Sequence, residues 1–289
     1  MNITIGVCGS GTMGSGIAQL AAQNGFETIV FDLNENALNR AYHQIENNLD
    51  FLVQKNRMDK LERDAVLGRL TMTTRIGECT GEIIIEAIAE NLQAKIELFQ
   101  GLAQYNNEEV VFASNTSSLS ITSLQEAIPF PERVVGMHFF NPPYAMKLVE
   151  VVRGASTRNE VAQAVYEICT KLGRVPVYCK DEPGFIVNRV ARHFYLESLK
   201  VMEDRIASFE EIDRIMEATG FKMGPFRLMD MIGLDINLEV SRQLYQSFGQ
   251  APRFRPSKIQ ADKVESGLLG QKTGRGFYSY GKPRPQEEE

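Results

Sequence analysis

Residues 3–14 read Ile3-Thr4-Ile5-Gly6-Val7-Cys8-Gly9-Ser10-Gly11-Thr12-Met13-Gly14, and this stretch decides the fold of the 289-residue chain. An apolar run, residues 3–8, stops at the glycines, and residues 12–24 continue with the apolar spacing of a helix. A second apolar run, residues 28–31, ends at Asp32. Strand, helix and strand in this order form a βαβ unit, which parallel strands require as a crossover. The stretch therefore predicts a doubly wound, Rossmann-like α/β sheet.

The glycines of this stretch have the G-x-G-x-x-G spacing of a dinucleotide-binding loop. Gly9 permits a tight turn, Gly11 lets backbone N–H groups approach a pyrophosphate, and Gly14 lets the helix pack closely on the sheet. The motif alone is weak, but here it follows a strand and opens a helix, where phosphates are stabilised by the positive helix end. We therefore predict that the loop binds a dinucleotide through Gly9, Ser10, Gly11, Thr12, Met13 and Gly14.

Asp32 lies 18 positions beyond Gly14, at the end of the second predicted strand. A carboxylate at this place accepts hydrogen bonds from ribose hydroxyls and repels a 2′-phosphate. The position therefore favours NAD over NADP. The alternative is that Asp32 only caps the following helix.

The rest of the chain divides near residue 184. Residues 36–70 have helical spacing for longer than one crossover needs, which predicts a pair of helices inserted into the sheet domain. Strands are predicted at residues 82–88, 110–114, 133–138, 148–152 and 175–177, with a helix at 91–105. From Phe185 onward the pattern is helical, at 185–203, 209–219, 234–248 and 257–266. We therefore predict a Rossmann domain over 1–184 and an all-helical domain over 185–289, with a polar tail at 283–289.

Composition indicates a soluble globular protein, with 43% hydrophobic and 24% charged residues. The net charge of −6 gives no overall attraction to nucleic acid or anionic lipid, and no apolar run reaches the ~18 to 20 residues that span a bilayer. No secretory signal is evident, and four scattered cysteines predict reduced, buried thiols and a cytoplasmic location. The three histidines have no cysteine or carboxylate neighbours at ligand spacing, so no metal site is predicted.

An acid/base pair is predicted at the carboxyl ends of the strands, where open α/β sheets bind ligands. Ser117 and His138 both follow predicted strands, and histidine is the side chain best suited to proton transfer near neutrality. After His138 the chain turns at Asn141-Pro142-Pro143 and returns through Glu150, so the carboxylate can face the imidazole and fix its tautomer. The alternative is a structural histidine. Ser117 lies outside any G-x-S-x-G nucleophile elbow, which argues against acyl-enzyme chemistry.

Many separated motifs resemble the L-3-hydroxyacyl-CoA dehydrogenase family, particularly the short bacterial 3-hydroxybutyryl-CoA dehydrogenases. Besides the glycine loop, the matching segments are residues 86–90, 113–119, 136–142, 146–150, 183–189, 223–225, 230–235 and 269–280. They span nearly the whole chain in one order.

The resemblance implies NAD-dependent oxidation of a 3-hydroxyacyl-CoA. It implies that His138 is the general base and Glu150 its orienting partner, while Ser117 and Asn188 bind substrate oxygens. It also implies that Asp32, Glu90, Lys95, Ser117 and Asn141 contact the dinucleotide, that Lys55 meets the CoA moiety, and that the helical domain forms a homodimer.

Alternatives concern the substrate and the class of protein. Lys55, Arg57 and Lys60 cluster at the predicted helix turn, and such charges are otherwise simply solvated. Residues 143–145 replace a more usual small, proline-containing segment, which leaves acyl-chain preference open. A free hydroxy acid or a carboxylated 3-hydroxyacyl-CoA is an alternative substrate, and a non-catalytic NAD-binding structural protein is the alternative of a different class.

Overall fold

The computed structural model describes residues 3–281, and within them eight strands form one sheet. The strands are β1 (Thr4–Cys8), β2 (Glu27–Phe31), β3 (Leu70–Thr73), β4 (Ile83–Glu86), β5 (Val111–Ser114), β6 (Val134–Phe139), β7 (Leu148–Arg153) and β8 (Val175–Lys180). Their order is β3-β2-β1-β4-β5-β6-β7-β8. Neighbours are parallel except β6 and β7, which are antiparallel. The predicted Rossmann-like sheet is confirmed.

Within residues 3–182, six α-helices accompany the sheet: α1 (Thr12–Gln23), α2 (Glu35–Gln54), α3 (Lys60–Gly68), α4 (Leu92–Leu102), α5 (Ile121–Gln125) and α6 (Asn159–Lys171). The helix α1 is buried along most of its length, since Ile17, Ala18, Ala21 and Ala22 pack with the sheet residues into one core. The inserted pair is α2 and α3. The helices α5 and α6 were not predicted.

The strand β3 corrects the sequence prediction, which ended the inserted helical pair at residue 70. The helix α3 already ends at Gly68, and Leu70–Thr73 then pairs in parallel with β2. The alternating Leu-Thr-Met-Thr suits a strand, and the open edge of β2 supplies hydrogen-bond partners that are not visible in a local pattern.

The chain divides into two compact units, the first ending at Glu182 and the second beginning at Pro183. The second unit contains α7 (Val187–Glu203), α8 (Phe209–Ala218), α9 (Pro225–Ile232), α10 (Leu234–Ser247) and α11 (Lys258–Glu265). Tyr195, Leu199, Phe226 and Met229 lie in its core. The predicted tail at residues 283–289 lies outside the described residues.

Two buried carboxylates of the second unit hold the segment that ends at Tyr280. Asp230 is fully buried and accepts hydrogen bonds from the backbone N–H groups of Phe277 and Tyr278, both at 2.9 Å, and from the Tyr280 hydroxyl at 3.0 Å. Asp213 accepts from the Tyr278 hydroxyl at 2.9 Å. The hydrogen bonds of residues 277–280 to Asp213 and Asp230 are therefore structural within this unit, because they satisfy buried carboxylates.

The four cysteines are free and buried, as predicted. Among residues 3–281, no helix is both long and apolar enough to cross a membrane.

Candidate active site

The loop between β1 and α1 has the shape that a pyrophosphate requires. Gly9 has a φ of +95°, and a Cβ on Gly14 would lie 1.8 Å from the carbonyl oxygen of Gly9, so both positions need glycine. A Cβ on Gly11 would meet no protein atom within 4 Å, so its backbone faces open space. No side chain caps the start of α1 and no acidic residue lies in its first turn. The positive helix end is thus open to phosphate, and these residues fit a dinucleotide.

Asp32 is hydrogen-bonded to Ser10 of the glycine loop. Its Oδ2 accepts hydrogen bonds from the backbone N–H of Ser10 at 2.8 Å and from the Ser10 hydroxyl at 2.7 Å. Its Oδ1 accepts from the backbone N–H of Asn34 at 2.9 Å. The residue that caps α2 is Asn34, whose side chain accepts from Asn36 and Ala37. The capping role considered for Asp32 therefore belongs to Asn34.

His138 and Glu150 face each other because their strands place them directly opposite. In the antiparallel pair of β6 and β7, His138 is the register partner of Glu150. His138 Nδ1 lies 2.7 Å from Glu150 Oε2, and the two side chains are 7% and 1% exposed. An ionised carboxylate only accepts, so it favours the tautomer with a proton on Nδ1. That tautomer leaves Nε2 as the basic ring nitrogen.

The strand end that carries the histidine is fixed by a residue of the β5 loop. Asn115 Oδ1 accepts a hydrogen bond from the backbone N–H of Phe139 at 2.8 Å. The ring of Phe140 lies 4.6 Å from the imidazole, centroid to centroid. The sequence prediction included Asn115 only within the matching segment 113–119 and gave it no role.

Lys95 is a buried cation between two carboxylates. Its side chain is 1% exposed, and Nζ lies 2.6 Å from Glu86 Oε1 and 3.2 Å from Glu90 Oε2. Glu86, at the end of β4, is fully buried and also accepts from the Ser114 hydroxyl at 2.6 Å. Burial raises the pKa of Glu86, and the charge of Lys95 opposes this effect. Sequence reasoning missed Glu86, although a glutamate at the end of an apolar strand is a recognisable signal.

Glu90 organises the loop that contains Ser117. Its Oε1 accepts hydrogen bonds from the Thr116 hydroxyl at 2.6 Å, the Ser118 hydroxyl at 2.8 Å and the Ser117 backbone N–H at 3.2 Å. Burial raises the pKa of Glu90, but the charge of Lys95 and the hydroxyl donors together outweigh it, so the pKa lies below its ordinary value. Glu90 therefore holds the loop as a carboxylate at neutral pH.

The other predicted site residues lie in both units. Ser117 is half-buried in the loop after β5, and Asn141 is exposed after β6. Lys55 follows the last residue of α2, is exposed, and has its Nζ 5.4 Å from the centre of the Phe51 ring. Asn188 lies in the first turn of α7, in the second unit. Glu90, Lys95 and Ser117 are thus brought together with one another, as are His138 and Glu150.

The glycine loop, Asp32 and the sheet order define a Rossmann-type dinucleotide-binding protein. Residues 4–182 match the sequence profile described as "3-hydroxyacyl-CoA dehydrogenase, NAD binding domain", and residues 184–280 match "3-hydroxyacyl-CoA dehydrogenase, C-terminal domain". The chain belongs to the 3-hydroxyacyl-CoA dehydrogenase family. The predicted family and the predicted cofactor, NAD, are confirmed.

Individual relatives are similar over nearly all of this chain. A probable 3-hydroxybutyryl-CoA dehydrogenase of Deinococcus radiodurans is 42% identical, over 95% of this chain and 99% of that protein. The 3-hydroxyadipyl-CoA dehydrogenase of Escherichia coli is 41% identical over 96% of this chain, but this chain spans only 59% of its length. The crystal structure of (S)-3-hydroxybutyryl-CoA dehydrogenase from Ralstonia eutropha has a TM-score of 0.94 at 37% identity, covering 98% of this chain and all of that one.

Proposed function

We propose that this protein catalyses the reversible NAD-dependent oxidation of a (3S)-hydroxyacyl-CoA, of the 3-hydroxybutyryl-CoA type, to the 3-ketoacyl-CoA. The observation that carries the proposal is the His138–Glu150 pair, 2.7 Å apart and buried, in a domain of this family that binds NAD. A base with a fixed tautomer is what removal of a hydroxyl proton requires.

In this mechanism His138 Nε2 takes the proton of the 3-hydroxyl while Nδ1 keeps its hydrogen bond to Glu150. The imidazole becomes cationic, and the adjacent carboxylate stabilises that charge. NAD, when bound, supplies the acceptor for the hydride that leaves C3. Ser117, in the loop that Glu90 holds, and Asn188 bind the substrate oxygens. Fixing these groups in advance lowers the entropic part of the barrier.

A substrate panel followed by NADH absorbance tests the proposal. We expect turnover of 3-hydroxybutyryl-CoA with NAD, and of acetoacetyl-CoA with NADH, and no comparable turnover of free 3-hydroxybutyrate. Preference for the free acid would assign the protein to another member of the superfamily, and absence of any turnover would favour a non-catalytic NAD-binding protein. An ω-carboxylated 3-hydroxyacyl-CoA belongs in the panel because the E. coli relative is named for 3-hydroxyadipyl-CoA.

We assign the choice of acyl chain to the segment that follows His138. Residues 143–145 lie in the loop between β6 and β7, where Tyr144 is 40% exposed. Pro143 is buried, but Tyr144 and Ala145 are exposed and near the proposed base in sequence, so these two can contact a substrate without supporting the sheet.

Lys55 is proposed to bind a phosphate of CoA. Its charge is exposed, and the contact of its Nζ is with the Phe51 ring, so the charge is available to an anion. We expect Lys55→Ala to raise KM for acetoacetyl-CoA about twofold to fivefold at low salt, the range of an exposed ion pair, and the effect to shrink as salt increases. KM for NADH should not change. Lys171→Ala, at the end of α6, is the matched exposed control. Equal substrate KM values for the two variants would remove Lys55 from the site.

A homodimer is proposed to form through the second unit. Residues 234–248 are apolar enough to suggest such an interface, but Leu234, Leu238 and Leu244 of α10 are buried. The unpartnered apolar surface lies instead on α7 and α9, where a groove of about 740 Å³ is lined by apolar side chains that include the exposed Val190, Phe221 and Met231. Exposed apolar patches of this kind mark association sites.

Light scattering tests the dimer. At micromolar concentration we expect twice the monomer mass of 32.5 kDa, and Met231→Lys should shift the mass toward the monomer. A monomeric wild-type protein would contradict the proposal. We also place the protein in the cytoplasm, where four buried, unbridged thiols remain reduced.

A further inference from the structure

Ser10 is the residue of the glycine loop whose side chain touches the ribose-selecting carboxylate. It lies between Gly9 and Gly11, is 5% exposed, and donates to Asp32 Oδ2 through both its backbone N–H and its hydroxyl. A glycine or alanine at this place would keep the first bond and lose the second.

The acceptor capacity of Asp32 is nearly used up in this arrangement. An ionised carboxylate offers about four lone-pair positions. Two on Oδ2 receive the N–H and O–H of Ser10, and one on Oδ1 receives the N–H of Asn34. About one position is left, whereas the two hydroxyls of a ribose bring two donors.

The Ser10 hydroxyl supplies the acceptor that Asp32 lacks. Because its only proton is directed to Asp32 at 2.7 Å, the lone pairs of Ser10 Oγ are left as acceptors. We propose that Ser10 and Asp32 bind the adenosine ribose as one unit, each accepting one ribose hydroxyl, so that Ser10 is a specificity-determining residue for NAD. This inference rests on the proposed function of the loop.

The same arrangement works against a 2′-phosphate. A phosphate brings acceptor oxygens and negative charge, so it needs donors and cations. Ser10 has committed its proton and Asp32 repels the charge, so neither residue offers what a phosphate needs. Ser10 should therefore contribute more to the binding of NADH than to the binding of NADPH.

The test is the Kd of NADH and of NADPH for the full-length protein, measured by isothermal titration calorimetry. We expect Ser10→Ala to raise the Kd of NADH roughly threefold to tenfold, the value of one hydrogen bond, and to leave the Kd of NADPH within about twofold. Asp32→Ala should raise the Kd of NADH at least about tenfold, since it removes charge-assisted bonds, and should improve NADPH binding. The double variant should bind NADH little more weakly than Asp32→Ala alone, because residues that act as one unit are not additive.

The control is Thr28→Val, which removes an equally buried hydroxyl from the opposite end of β2. That hydroxyl donates to the Phe26 carbonyl oxygen at 3.0 Å. The NADH affinity of the Thr28→Val variant should equal that of the wild type. Ser10→Gly also keeps the backbone donor and removes the hydroxyl, so this variant can replace Ser10→Ala in the test if Ser10→Ala folds poorly.

Unchanged or tighter NADH binding by the Ser10 variants, with the wild type binding normally, would overturn the proposal and show that the hydroxyl only occupies Asp32. If the loss of NADH affinity in the double variant equals the product of the two single losses, Ser10 and Asp32 do not bind the ribose as one unit. If the wild type binds NADH but turns over no 3-hydroxyacyl-CoA, the proposed function fails while the role of Ser10 is still decided by the Kd values.

Discussion

Glu150→Gln should lower kcat by roughly 10² to 10⁴, the range for disabling acid/base catalysis. In the wild type, His138 Nδ1 lies 2.7 Å from the Glu150 carboxylate. Glutamine keeps the shape of the side chain and a hydrogen-bond acceptor, but it removes the negative charge. During oxidation the imidazole must become cationic, and a buried cation without its counter-charge is costly. The measurement is steady-state turnover of acetoacetyl-CoA and NADH, with the Kd of NADH determined separately.

The companion variants decide whether the two residues act together. NADH affinity should remain close to wild type in Glu150→Gln, which separates a catalytic effect from a general structural one. His138→Gln should lose at least as much turnover, and the double variant little more, since residues that act as a unit are not additive. Wild-type turnover in either single variant would mean that the proton goes elsewhere. Independent, multiplicative losses would mean that the two do not form a pair.

Lys95→Met should lower the free energy of unfolding by about 3 to 5 kcal/mol, because it leaves the buried Glu86 charge without its partner. Both side chains are almost completely enclosed, so solvent cannot replace the lost interaction. Urea unfolding followed by circular dichroism is suitable, since the chain contains no tryptophan. The first unit contains both residues, so this unit should unfold at a lower urea concentration than it does in the wild type.

Lys258→Met is the matched control, because the Lys258–Asp262 pair is exposed, at 84% and 55% for the two side chains. Its effect on the free energy of unfolding should be much smaller than that of Lys95→Met, because water screens an exposed pair. Adding Glu86→Gln to Lys95→Met should recover part of the lost stability, since it removes the stranded charge. A Lys95→Met protein as stable as Lys258→Met would show that Glu86 is neutral or solvated in the folded protein.

The parts of the molecule that the sequence predicted are those in which neighbouring residues carry the signal. The glycine loop lies within six residues, and its spacing reflects contacts between adjacent elements. The pairing of His138 with Glu150 was also readable, because only a turn and two short strands separate them. The roles proposed for Asn188, Asn141 and Lys55 came from family resemblance and stay predictions.

The parts that the sequence did not predict depend on contacts between distant residues. The strand β3 forms because an open edge of β2 accepts it. The Glu86–Lys95–Glu90 network joins the end of β4, helix α4 and the loop after β5, and the sequence pattern does not show that these charges meet. The structural role of Asp230 likewise depends on the backbone N–H groups of Phe277 and Tyr278, which lie more than 40 residues later in the chain.

The antiparallel pairing of β6 and β7 has a consequence for how such a protein can change. His138 and Glu150 are opposed by backbone register, and a one-residue slip would turn Glu150 to the other face of the sheet. In the loop that joins the strands, Tyr144 and Met146 are exposed and lie outside the paired residues. Mutations at these exposed positions can therefore accumulate while His138 and Glu150 continue to face each other. With the roles proposed above for the loop and the pair, substrate range and reaction chemistry can change separately in evolution.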